Sequence, residues 1–74
     1  MKNRVSFRKF PEGDIIALFP DVEHSPGLIE SYQTIGQHSG ADPSLLSELE
    51  KATREESLLL ARELEKIGYS LKEC

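Results

Sequence analysis

The chain has 74 residues, 38% hydrophobic and 30% charged, with a net charge of −4. That length suits one small domain spanning residues 1–74 and excludes a two-domain enzyme, a repeat array or a fold built on a large parallel sheet. The apolar residues fall in patterned blocks, which argues against disorder.

Val5–Phe10 (VSFRKF) places Val5 and Phe7 on one side at period two, with Ser6 and Arg8 opposite, as in a half-buried strand. Phe10 breaks the alternation, as a strand end or bulge does. Pro11–Asp14 (PEGD) has turn chemistry, with Pro11 presetting φ and Gly13 tolerating a positive φ. A β-hairpin therefore joins the first strand to Ile15–Phe19 (IIALF). That run has no polar side and reads as a strand buried on both faces, ended by Pro20. Asp21–Gly27 reads as a loop, Leu28–Ile35 as a third strand, and Gly36–Asp42 (GQHSGAD) as a second loop.

Asp42-Pro43 is a helix start, with Asp42 as N-cap. Leu45, Leu46 and Leu49 give a short amphipathic helix. Thr53 and Glu56 form a T-x-x-E capping box. The helix after it aligns Leu60, Ala61, Leu64 and Ile67, and Gly68 terminates it. Nothing between Leu49 and Thr53 forbids a single continuous helix. Tyr69 and Leu71 alternate with Ser70 and Lys72, as in a short edge strand.

The fold expected is α+β. A three- to four-stranded antiparallel sheet (hairpin, third strand, short C-terminal strand) carries one main α-helix on one face, with a short helix before it. The expected core joins Leu60, Leu64 and Ile67 to Val5, Phe7, Ile16, Leu18, Tyr32 and Ile35. Leu58 and Leu59 lie off the helix stripe. Either Leu45–Leu49 folds back over them or a second chain faces them.

Charge is distributed unevenly. Lys2, Arg4, Arg8 and Lys9 precede any acid, and Glu12 to Glu30 contains five acids and no Lys or Arg. The acidic total disfavours non-specific attraction to nucleic acid or anionic membrane. The single cysteine, Cys74, allows no intramolecular disulfide, and a small secreted domain usually needs such staples. The longest purely apolar run, Ile15–Phe19, falls far short of the ~20 residues a membrane helix requires. No apolar signal core follows the basic Met1–Phe10. A cytoplasmic setting without a membrane partner is expected.

His24, His38 and Cys74 lack any paired ligand spacing, so no metal and no cofactor are expected. Ser31, Ser39, His38 and Asp42 lie near one another in sequence, but there is no G-x-S-x-G elbow and little room for a water-excluding pocket. The chain is read as not an enzyme. Gly36–Gly40 (GQHSG) lacks the lysine of a phosphate loop, and Asp42 would repel an anion. Protein–protein interaction is the favoured class. A basic strand on an acidic body is self-complementary, and strand addition at an exposed edge would use it, whether by an unidentified protein partner or in a weak homodimer. The alternative is single-stranded nucleic-acid binding through Lys2, Arg4, Arg8 and Lys9 interleaved with Phe7 and Phe10. Four bases on one strand also blunt a sheet edge against self-pairing.

FRKFPEGDIIALFP, SYQTIGQHSGADPSL and ATREESLLLARELEKIGYSL together resemble a group of small uncharacterised proteins of gut bacteria and their phages or mobile elements. Its members share the form FRK(F/W)-x-x-G-x-(I/V)-I-A-L-F-P … SY-x-x-(I/V)-G-Q-H … A-T-x-E-E … L-x-x-IGY-x-L. The likeness covers Val5 to Leu71 and brings no assigned activity. This chain has Arg54 where a proline is common at the first helical position, a small weakening of the helix start. The resemblance directs attention to Tyr32, Gln37 and His38, with Arg8 nearby if the strands pair suitably, as an interaction site. The same residues would otherwise only lock a loop through hydrogen bonds.

Overall fold

The structure is a computed structural model and describes residues 3–33 and 37–73, with Gln37 described by its backbone. Lys2, Ile35 and Cys74 lie outside the described residues, so the expectations placed on them do too. The elements in chain order are β1 (Asn3–Lys9), β2 (Ile15–Ser25), β3 (Leu28–Gln33), β4 (Gln37–Ala41), α1 (Leu45–Glu48), β5 (Glu50–Lys51), α2 (Arg54–Lys66) and β6 (Leu71–Glu73). The α+β class is as expected, but among the described residues the sheet has six strands rather than three or four. Its order is β4-β3-β2-β1-β5, with β6 also on β1. All pairings are antiparallel except the parallel pairing of β6 with β1.

The first hairpin follows its turn chemistry. Gly13 N–H donates to the Phe10 carbonyl and Phe10 N–H to the Asp14 carbonyl, both at 2.8 Å. Gly13 sits at φ 103°, where a side chain would be strained. This is a three-residue hairpin loop with a glycine bulge. It sets Phe7 opposite Ala17 and Arg8 opposite Ile16.

That register corrects the expected core. Val5, Phe7, Ala17, Phe19 and Tyr32 form one cluster with Leu60 and Leu64 of α2. Ile16 and Leu18 lie on the other side with Ile29 and Ala41, under Phe10, Leu45, Leu46 and Leu49. The IIALF run has no polar residue to mark a side, so its two faces could be separated only by pairing. β2 is indeed buried on both faces, and the leucines around α1 cover the second. They do not fold over Leu58 and Leu59, which remain 41% and 75% exposed.

Two expected loops are strands. Pro20 does not end β2, which runs on to Ser25. The register against β3 shifts between Phe19 and Glu23 and again before Ser25, an irregular stretch of the kind that tolerates a proline. Only Pro26 and Gly27 then turn the chain, with Gly27 at φ 84°. The stretch 37–41 is β4, paired with β3 from Gln33–Gln37 to Ile29–Ala41.

The two helical segments are separate, because β5 pairs with β1 between them. α1 starts at Leu45 rather than at Pro43, with Ser44 before it. The Asp42 carboxylate accepts the Ser44 N–H at 2.9 Å, which lowers its pKa. At α2 both capping-box bonds form: Thr53 N–H to Glu56 Oε1 (2.9 Å) and Glu56 N–H to Thr53 Oγ1 (3.2 Å). Glu56 Oε2 also accepts from Lys9 Nζ at 2.9 Å, tying the helix start to β1. The helix ends with Tyr69 N–H on the Leu64 carbonyl and Gly68 N–H on the Glu65 carbonyl, Gly68 at φ 112°. The turn brings Tyr69 against the core and leaves Ile67 54% exposed, outside the stripe expected of it.

Replacing Leu64, which is fully buried, by alanine should cost about 2–5 kcal/mol in urea unfolding. Thr53→Ala should cost about 0.5–2 kcal/mol. The Lys9 and Thr53 contacts hold the Glu56 pKa at about 2 against an ordinary 4.5. A depressed carboxylate contributes fully above its unfolded value and is lost as pH falls through the folded one. Stability should therefore fall less steeply between these two pH values in Glu56→Gln than in the parent chain.

Candidate functional site

Of the four residues marked by the resemblance, the sheet brings two together. Tyr32 and His38 are direct partners across β3 and β4, with ring centroids 4.7 Å apart. Tyr69, delivered by the turn after α2, lies 5.9 Å from the His38 ring and stacks on Phe19 at 5.1 Å. The Tyr32 hydroxyl donates to Glu63 Oε1 of α2 at 2.6 Å. Gln37 pairs with Gln33, one position out of step with the Tyr32–His38 pair.

Arg8 is elsewhere. The β1–β2 register puts it in line with Ile16, on the face covered by α1. There its Nε–H donates to Ser6 Oγ at 2.9 Å and a terminal N–H to the Leu49 carbonyl at 3.3 Å. A guanidinium on the carbonyl of Leu49, the residue that caps α1, is a structural tie between that segment and β1.

Glu30 is the residue the sequence reading missed. It lies two positions before Tyr32 on β3, on the same face. Its Oε1 is 3.3 Å from His24 Nδ1 on β2 and 3.8 Å from His38 Nδ1 on β4. The residue opposite Glu30 is Gly40. A Cβ on Gly40 would come within 2.8 Å of both His24 Cδ2 and Leu28 Cδ1, so the missing side chain is what lets the His24 ring lean over β4. The period-two spacing of Glu30 and Tyr32 was a usable signal for their shared face. The arrival of His24 and Tyr69 had none, because it depends on a β2 that continues past a proline and on the turn after α2.

Both tyrosines are weaker acids than usual. The hydrogen bond to Glu63, then burial, raises the Tyr32 pKa; burial, then the Glu30 charge, raises that of Tyr69. The site is thus a partly buried carboxylate between two imidazoles, beside a row of rings. It offers hydrogen-bond acceptance and negative charge on an aromatic floor. Among the described residues no three His, Cys, Asp or Glu side chains are arranged to hold a metal ion.

The basic strand has its partners within the chain. Arg4 contacts Asp21 at 3.2 Å and Lys9 contacts Glu56. Phe7 is 3% exposed and committed to the core, and Phe10 is partly buried against the second cluster. Among the described residues no helix is long and apolar enough to cross a membrane. Comparison with protein-family models, curated proteins and solved structures gives no match for this chain.

The two tyrosines provide a check on this geometry. Ultraviolet titration should show both ionising above the ordinary value of 10.0. Glu63→Ala should bring Tyr32 back toward that value and leave Tyr69 in place, while Glu30→Gln should lower Tyr69 alone.

Proposed function

We propose that this protein is a small non-catalytic interaction module of the cytoplasm, belonging to a bacterial or mobile-element system, and that it takes up an extended segment of a partner protein along β4. The supporting observation is the contrast between the two edges of the sheet. β1, whose bases Arg4, Arg8 and Lys9 suggested an edge, is interior. Asn3, Arg4 and Val5 pair with β6, Arg8 and Lys9 pair with β5, and Ala52 N–H donates to the Phe7 carbonyl at 2.9 Å.

β4 ends the sheet on the other side, with β3 as its neighbour. Sheet edges are usually blunted by lysine, proline, bulges or a covering segment. Gln37–Ala41 contains neither lysine nor proline, and its pairing with β3 runs without a register shift. No Lys or Arg occurs anywhere between Lys9 and Lys51. Such an edge offers backbone N–H and C=O groups to an added strand, which would supply affinity through main-chain hydrogen bonds.

The test uses a short peptide alternating threonine and valine, at concentrations on the order of 1 mM because short strands bind weakly. In 15N-labelled protein the amide signals of Gln37–Ala41 should shift and their hydrogen exchange should slow, with those of α2 unmoved. Ser39→Lys, which places a charge on the edge, should abolish the shifts while the α2 signals show an intact fold. Unmoved β4 amides in the parent chain would remove this reading.

A further inference from the structure

We infer that the segment taken up by β4 is basic, and that a lysine or arginine opposite His38 seats its cation on the Glu30 carboxylate beside the rings of His38 and Tyr69. The inference rests on the strand-addition reading above and names the partner's chemistry.

Charge provides the first argument. From Glu12 to Glu50 the chain has eight acids and no Lys or Arg. β2, β3 and β4 all lie within that stretch. Asp21 finds Arg4 and Glu56 finds Lys9, whereas among the described residues Glu30 has only two imidazoles. Both imidazoles approach Oε1, and among the described residues Oε2 has no partner. The Glu30 side chain is 22% exposed, so this carboxylate is partly desolvated, and among the described residues no Lys or Arg pairs with it. A cation supplied from outside gains more there than at a fully solvated acid.

Geometry provides the second argument. Strands are spaced about 4.8 Å apart, so a residue added beside β4 lies two spacings from β3, a gap that a lysine or arginine side chain and the Glu30 side chain span between them. A residue added opposite His38 lies on the face that carries His38, Tyr32 and Glu30. Its side chain meets the His38 ring first, then Tyr69 at 5.9 Å from that ring, and Glu30, whose Oε1 is 3.8 Å from His38 Nδ1. A cation is drawn to the face of the Tyr69 ring, all the more with a carboxylate at the end of the path.

A second copy of the chain fits the edge poorly. Joining two β4 edges would bring Glu30 and Asp42 of one copy toward those of the other. The basic β1 cannot be offered instead, because β5 and β6 already pair with it.

The experiment titrates 15N-labelled protein with two peptides, one alternating lysine and valine and one alternating threonine and valine. Both should shift the β4 amides, with the lysine peptide binding about fivefold tighter or more at low salt. Glu30→Gln should erase that preference without weakening the threonine peptide, and Asp42→Asn should leave it in place. Equal affinity of the two peptides overturns the cation seat while strand addition stands. A preference that survives Glu30→Gln but disappears in Asp42→Asn also overturns the seat, since general attraction to the acidic half would then explain it. If neither peptide moves the β4 signals, the strand-addition reading falls and the seat falls with it.

Discussion

The pairing of Phe7 with Ala17 and of Arg8 with Ile16 assigns the side chains of the sheet to its two faces. A slip of one residue would send Arg8 under α2 and Phe7 to the opposite layer. Burying a Phe side chain contributes about 1.5–3 kcal/mol, and an unpaired guanidinium in the α2 core would cost more than that. The glycine bulge at Gly13 fixes the same register from the turn side. Local turn chemistry and burial thus agree, which is the condition for a single well-defined pairing. With β2 central and apolar on both faces, the chain needs two covers. It supplies α2 for one face and the leucines around α1 for the other.

What the sequence made legible were features with a local chemical cause. The PEGD turn, the Thr53–Glu56 box and the Gly68 stop each depend on side chains within a few residues, and each formed where expected. The two-sided burial of Ile15–Phe19 was legible from composition. Which of its residues faced α2 was not, because no polar residue interrupts the run. Pro20 misled for a related reason: a proline forbids a regular ladder bond, yet an irregular register leaves no such bond to lose. The site was half legible. Tyr32 and His38 meet across two strands, whereas Arg8 was expected near them only if the strands paired suitably, and the pairing puts it on the other face.

β4 was hidden by its own composition. Gln, His, Ser and Gly are residues of loops when judged one at a time. Here they form a strand because β3 offers a ladder, and because their position needs little apolar burial. Ser39 shows the compensation at work. Its carbonyl and its hydroxyl both engage the buried Ser31 hydroxyl, at 2.8 and 3.1 Å. A polar pair takes the place of an apolar cross-strand contact, and the buried hydroxyl is satisfied.

The width of the helix explains why the uncovered edge and the polar site coincide. An α-helix is about 10 Å across with its side chains, and strands are spaced about 4.8 Å apart, so one helix covers roughly two strands. α2 packs over β1 and β2 and reaches β3 through the bond between Glu63 and Tyr32. β4 lies one strand farther out. Residues there are not required to be apolar, and His38, like Glu30 beside it on β3, is tolerated where a leucine would be exposed. The polarity that disguised β4 as a loop and the acceptor group facing its open side therefore share one cause: a single helix across a sheet wider than it can cover.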